Sequence, residues 1–144
     1  MALYLDTSCL LKLVFPEPES AHVSALCGAE QRVVVSSLCQ LEAAVQINAR
    51  LAGGTLTKTR AARLRKQLDA ILKLAPYELA LFPPGAVEAA AEQIRPARGT
   101  FHCRTLDRLH LAVMEMLGLR RILTNDASQA RAANALGYEV LLPH

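Results

Sequence analysis

The chain contains no tryptophan, and aromatic residues make up only 4% of its 144 residues. A core of large rings is therefore excluded, and Leu, Val, Ile and Ala must fill it, as in a sheet covered by helices. No apolar run reaches the roughly 20 residues that a membrane-spanning helix needs. The N-terminus lacks the basic segment and long apolar stretch of a secretory signal, so cytoplasmic placement is expected. Cys9, Cys27, Cys39 and Cys103 form no C-x-x-C pair and no zinc-like spacing, which leaves buried, reduced thiols as their expected state. Internal repeats, low-complexity tracts and long linkers are also lacking, so residues 1–144 are expected to form one domain.

What is present is 52% hydrophobic residues, arranged in segments that alternate between strand and helix character. Strands are expected at 2–5, 32–36, 79–82, 120–124 and 139–142. Helices are expected at 7–14, 18–28, 37–52, 58–74, 85–95, 105–117 and 127–136, with a loop around Pro96, Gly99 and Thr100. The alternation predicts an α/β domain with a parallel sheet. Ser37 and Thr57 are the expected N-caps, and Gly53-Gly54, Gly118 and Gly137 the expected helix ends. Helical spacing predicts that 37–52 buries Leu38, Leu41, Val45 and Ala49. By the same rule 58–74 buries Leu64, Leu68, Ile71 and Leu72, and 105–117 buries Leu106, Leu109, Val113, Met116 and Leu117.

Against this background Asp6, Glu42, Asp107 and Asp126 stand out, because each sits where an apolar strand ends or a helix begins. Singly, each has an ordinary explanation: Asp6 and Asp126 as helix caps, Glu42 and Asp107 as acids near helix N-termini. Asp126-x-x-Gln129 even has capping-box spacing. Together they point elsewhere. Ligands of open parallel sheets collect outside the carboxyl ends of the strands. Carboxylates gathered there repel one another unless protons or hard cations relieve them. Mg²⁺ or Mn²⁺ on such a set would favour in-line attack of water on a phosphodiester.

The segments Leu5-Asp6-Thr7-Ser8, Leu38-Cys39-Gln40-Leu41-Glu42-Ala43, Thr105-Leu106-Asp107-Arg108-Leu109-His110-Leu111-Ala112 and Leu123-Thr124-Asn125-Asp126 carry a family likeness. With Ala133 and Leu136-Gly137-Tyr138-Glu139-Val140, the chain resembles the PIN-domain ribonucleases over essentially its whole length, and in particular their toxin branch, the VapC-like half of bacterial toxin–antitoxin pairs. The resemblance implies a five-stranded parallel sheet flanked by helices on both faces, with the first and fourth strands adjacent. It implies metal ligation by Asp6, Glu42, Asp107 and Asp126, with Thr7, Ser8 and Thr124 helping to hold the site. It further implies an endoribonuclease toxin that leaves a 3′-hydroxyl and a 5′-phosphate by attack of a cation-activated water, with Mg²⁺ or Mn²⁺ as cofactor. A homodimer and a cognate antitoxin, lying near the second to fourth helices, are the implied partners.

Setting those acids aside leaves 16 basic residues against 9 of the 13 acidic ones, a balance suited to an RNA polyanion. Arg98, Arg104 and Arg108 are the preferred backbone contacts. Lys58, Arg60, Arg63, Arg65 and Lys66 read first as a solvated helix face. His110 reads as packing or support rather than a ligand, and His102-Cys103 lacks an acyl-transfer context. Asp6 after a strand also fits a phosphatase nucleophile, but the second Asp such enzymes need is replaced by Ser8. A domain that only binds RNA or protein, its acids serving as caps, is the non-catalytic alternative.

Overall fold

A computed structural model describes residues 2–98 and 101–144; Gly99 and Thr100 of the expected loop lie outside them. Strands β1 (Leu3–Leu5), β2 (Val33–Ser36), β3 (Tyr77–Ala80), β4 (Arg121–Leu123) and β5 (Glu139–Leu141) alternate with helices α1 (Thr7–Lys12), α2 (Ser20–Gly28), α3 (Ser37–Ala52), α4 (Lys58–Ile71), α5 (Ala86–Gln93), α6 (Thr105–Leu117) and α7 (Ala127–Ala135). The sheet runs β3-β2-β1-β4-β5, parallel throughout. Right-handed crossovers in that order place α1–α4 over one face and α5–α7 over the other. Helix packing agrees: α1 meets α2 and α3, α3 meets α4, and α5 meets α6.

Two of the three interior strands, β1 and β2, read as nearly continuous apolar runs because both faces are covered. All of β1 and β2 is buried, with Leu3, Tyr4, Leu5, Val33 and Val35 at 0% exposure. β3 lies at an edge and starts two residues earlier than the apolar run 79–82 suggests, because Tyr77 and Glu78 pair with Val33 and Val34. Leu81 and Phe82 fall beyond the ladder and are exposed. Thr57 caps α4 as expected, its hydroxyl accepting from the Arg60 amide. Gly118 follows α6 with φ 69°, a left-handed turn that a side chain would strain.

Three local expectations are corrected. Ser36, not Ser37, caps α3, accepting from the Cys39 amide. Ser37 instead accepts from the Phe82 amide. The inward face of α3 is Leu38, Cys39, Ala43 and Ile47, whereas Leu41 and Val45 are 61% and 55% exposed. This helix carries two apolar stripes; it packs against α1, and the stripe that is buried includes the small Cys39 and Ala43. In α6 the buried face includes His110, Leu111, Val113 and Met114, leaving Leu106, Met116 and Leu117 exposed. The true face of α6 was disguised by the polar His110 at its centre.

Candidate active site

Leu5 and Leu123 are register partners, so the residues after them, Asp6 and Thr124, leave adjacent strands side by side. Asp6 caps α1 and is buried at 5% exposure. Its Oδ1 accepts from Ser8 Oγ at 2.7 Å and the Cys9 amide at 3.2 Å. Its Oδ2 accepts from Thr124 Oγ1. Burial pushes the Asp6 pKa up, against these hydrogen bonds. No cation pairs with it among the described residues.

Glu42 projects from the second turn of α3. Its Oε1 accepts from Thr7 Oγ1 at 2.8 Å and from His110 Nε2. Burial alone would raise its pKa, but the His110 imidazole and Thr7 hydroxyl outweigh it and hold the carboxyl below the usual range. His110 shows the converse: burial would lower its pKa, but Cys39 and Glu42 raise it to about 10. The ring nitrogen that meets Glu42 is thus the donor of that hydrogen bond.

Asp107 lies in the first turn of α6, and Asp126 caps α7 by accepting from the Ser128 and Gln129 amides. Arg104 bridges the two acids, its Nε 3.2 Å from Asp107 Oδ2 and its Nη2 3.3 Å from Asp126 Oδ2. Thr124 Oγ1 joins the two halves, accepting from the Asp126 amide at 3.0 Å while donating to Asp6. The capping box does not close, because Gln129 Nε2 donates to the Asp107 carbonyl at 3.1 Å instead.

All four acids line one cleft of about 230 Å³, together with Thr7, Ser8, Gln46, Arg104 and His110. As placed, each acid faces a protein donor, and no three His, Cys, Asp or Glu side chains among the described residues are drawn tightly enough to enclose an ion. The residues nonetheless fit a divalent cation. The donor set is carboxylate oxygen, the cleft has room for an ion that keeps several waters, and Asp6 is a buried acid without a cationic partner.

Of the three arginines singled out in the sequence, only Arg104 reaches the cleft. Arg98 pairs with Glu115 at 3.2 Å, beside Tyr138. Arg108 is 8% exposed and donates to the Phe101 carbonyl, so its burial removes it as a surface contact for RNA. It lines a larger groove of about 520 Å³ between α5 and α6, whose wall carries Val87, Ile94, Phe101 and Leu109 and no acid. Sequence reasoning missed Tyr4 and Ser36, which join His110 behind the cleft. The one available signal was a lone hydroxyl inside the otherwise apolar Leu3-Tyr4-Leu5.

Fold and cleft together define an α/β domain of the PIN type. The chain belongs to the PIN domain family, whose pattern matches residues 3–135. It is 32% identical over 144 residues to Ribonuclease VapC46 of Mycobacterium tuberculosis, covering 99% of this chain and 98% of that protein. Solved structures share the fold, two of which illustrate it. The sarcin–ricin loop cleaving toxin VapC20 of Mycobacterium tuberculosis superposes with a TM-score of 0.69 at 18% identity, over 90% of this chain and 94% of that one. VapBC2 of Rickettsia felis, bound to a DNA fragment from its promoter, gives a TM-score of 0.70 at 14% identity, over 99% and 98% of the two chains. Among the described residues no helix is long and apolar enough to cross a membrane.

Proposed function

We propose that this protein is the endoribonuclease toxin of a type II toxin–antitoxin pair, that it depends on Mg²⁺ or Mn²⁺, and that Asp6, Glu42, Asp107 and Asp126 form its metal site. The observation that carries the reading is the convergence of those acids, from β1, α3, α6 and the end of β4, on one cleft. The likeness to a ribonuclease along the whole chain supports the reaction class.

When bound, the cation supplies Lewis acidity that lowers the pKa of water and offsets charge building on the phosphodiester. The chain supplies the rest. Thr124 and Ser8 fix the two oxygens of Asp6, so the acid enters the cleft in one orientation. Thr7 and His110 both meet a single oxygen of Glu42, Oε1. Arg104, at the mouth with its side chain 78% exposed, is the cation free to take an incoming phosphate once it leaves Asp107 and Asp126. No side-chain nucleophile is required, and hydrolysis leaves a 3′-hydroxyl and a 5′-phosphate.

The antitoxin partner is supported by the fold neighbours solved as toxin–antitoxin assemblies on DNA. Exposed Leu41 and Val45 on α3 give a second copy of the chain an apolar surface to cover. One observation favours a non-catalytic domain: Asp6 and Asp126 do cap helices. The two readings separate on incubation of the protein with a structured RNA in Mn²⁺ or in chelator, followed by end mapping. Metal-dependent cuts bearing 5′-phosphates, lost in Asp6→Asn, are expected. Cuts that persist in the variant would assign the activity elsewhere.

A further inference from the structure

Behind the cleft lies a buried polar chain that the proposed metal site does not use directly. His110 is 2% exposed and Tyr4 is 0% exposed, although they are 106 residues apart. Tyr4 Oη sits 2.6 Å from His110 Nδ1 and 2.8 Å from Ser36 Oγ. On the opposite side of the ring, His110 Nε2 meets Glu42 Oε1. Both ring nitrogens are therefore engaged, which leaves the imidazole no lone pair for an ion. Mere filling of space does not explain it either, because an apolar side chain would occupy the same volume without the cost of burying a polar ring.

Glu42 explains it. Its side chain has three rotatable bonds, and ordering such a group costs rotamer freedom. Thr7 from α1 and His110 from α6 both donate to Oε1, and no protein donor among the described residues reaches Oε2. One oxygen is held and the other is left to the cleft. We infer that His110, clamped by Tyr4, is a positioning residue that presents Glu42 Oε2 to the divalent cation. The inference rests on the metal site proposed above.

The test is the Mn²⁺ affinity of the full chain, measured by titration calorimetry, in variants that separate the two ring nitrogens. His110→Gln keeps a donor near Nε2, and His110→Asn keeps one near Nδ1 only. Loss of a partner that orients a metal ligand weakens binding about 10–100-fold, and that is the effect expected for His110→Asn. His110→Gln should bind close to wild type. In a Glu42→Gln background, His110→Asn should change nothing further, because its route to the ion has been removed. Cleavage by His110→Asn should return at saturating Mn²⁺.

Equal weakening by Asn and Gln, or a further loss in the Glu42→Gln background, would assign His110 to packing instead. Unchanged affinity in His110→Asn, beside a loss in Asp6→Asn, would overturn the inference and leave the metal site standing. Unchanged affinity in Asp6→Asn would remove the site itself. Should His110→Asn fail to fold, Tyr4→Phe keeps the ring and removes its clamp. It should weaken Mn²⁺ in the same direction, and unchanged affinity there would equally overturn the inference.

Discussion

Leu5 of β1 and Leu123 of β4 face each other across a parallel ladder, although 118 residues separate the two side chains that follow them, Asp6 and Thr124, which hydrogen-bond. The pairing turns two strand ends into one wall of the cleft. It also makes Asp6 the most constrained of the acids: buried, triply hydrogen-bonded and without a cation. Asp6→Asn should therefore cut RNA cleavage by about a thousandfold, since a metal site supplies several kcal/mol of charge stabilisation and each 1.4 kcal/mol is tenfold in rate. Folding should survive, because the variant removes a desolvated charge. Cleavage rate beside thermal melting checks both halves, and full activity in a folded variant would refute the assignment.

Metal addition gives a second measure that needs no substrate. A ligand at a hundred times its dissociation constant stabilises the native state by about 2.7 kcal/mol. For a domain of this size that corresponds to a rise in Tm of about 8 °C. Mn²⁺ should produce the rise, chelator should reverse it, and Asp107→Asn should abolish it. Acids serving only as helix caps would give no shift in any of the three.

How far the sequence revealed these features differs by element. The ends of β1 and β4 were legible because short apolar runs stop at acids, and Thr57 was legible as a cap because its local chemistry decides the matter. The adjacency of β1 and β4 was not, since strand order is a property of crossovers rather than of either strand. It came only through family likeness. The inward faces of α3 and α6 were misread because each helix carries apolar residues all round, so periodicity alone could not choose. Arg108 was misread because its partner is a backbone carbonyl, which leaves no mark in a sequence. The Tyr4–His110–Glu42 chain joins three distant segments and could be seen only in three dimensions.

Arg104 currently supplies the positive charge between Asp107 and Asp126. A divalent cation must share those carboxylates with it or displace it. Arg104→Ala should therefore bind Mn²⁺ more tightly at low salt, yet hold RNA less well. The slope of log KM against log salt should fall by about 0.7, as it does when one phosphate of a single strand is no longer neutralised by the protein. A variant with weaker Mn²⁺ binding and an unchanged salt slope would show that the residue only shapes the loop.

Stability should carry its own pH signature away from the cleft. Arg121 donates through two nitrogens to both oxygens of Glu30, at 2.8 and 2.9 Å, and holds the Glu30 pKa below its ordinary value of 4.5. A depressed acid stabilises the fold above its unfolded pKa, and the contribution is lost as pH falls through the folded value. Glu30→Gln should thus lower stability at neutral pH by up to about 1 kcal/mol, the ceiling that solvent screening sets on a pair near the surface. In denaturant titrations the difference from wild type should vanish in acid, below the depressed value. A difference that persists there would mean that the substitution acts by some route other than charge.

The two faces of α3 offer the sharpest contrast between what periodicity suggested and what packing selects. Ile47 is fully buried, while Leu41 is 61% exposed on the same helix. Ile47→Ala removes packed methyl groups from a closed interior and should cost about 2–4 kcal/mol, since the cavity can only partly collapse. Leu41→Ala leaves no cavity, and its effect on a monomer should stay within about 0.5 kcal/mol. A second copy covering the Leu41 and Val45 surface would change that expectation in a recognisable way. Leu41→Asp would then lower the molecular mass seen by light scattering, with the fold of each protomer intact by circular dichroism. If Leu41→Ala destabilises as much as Ile47→Ala at a concentration where the chain is monomeric, α3 sits in the sheet the other way round, and Glu42 with it.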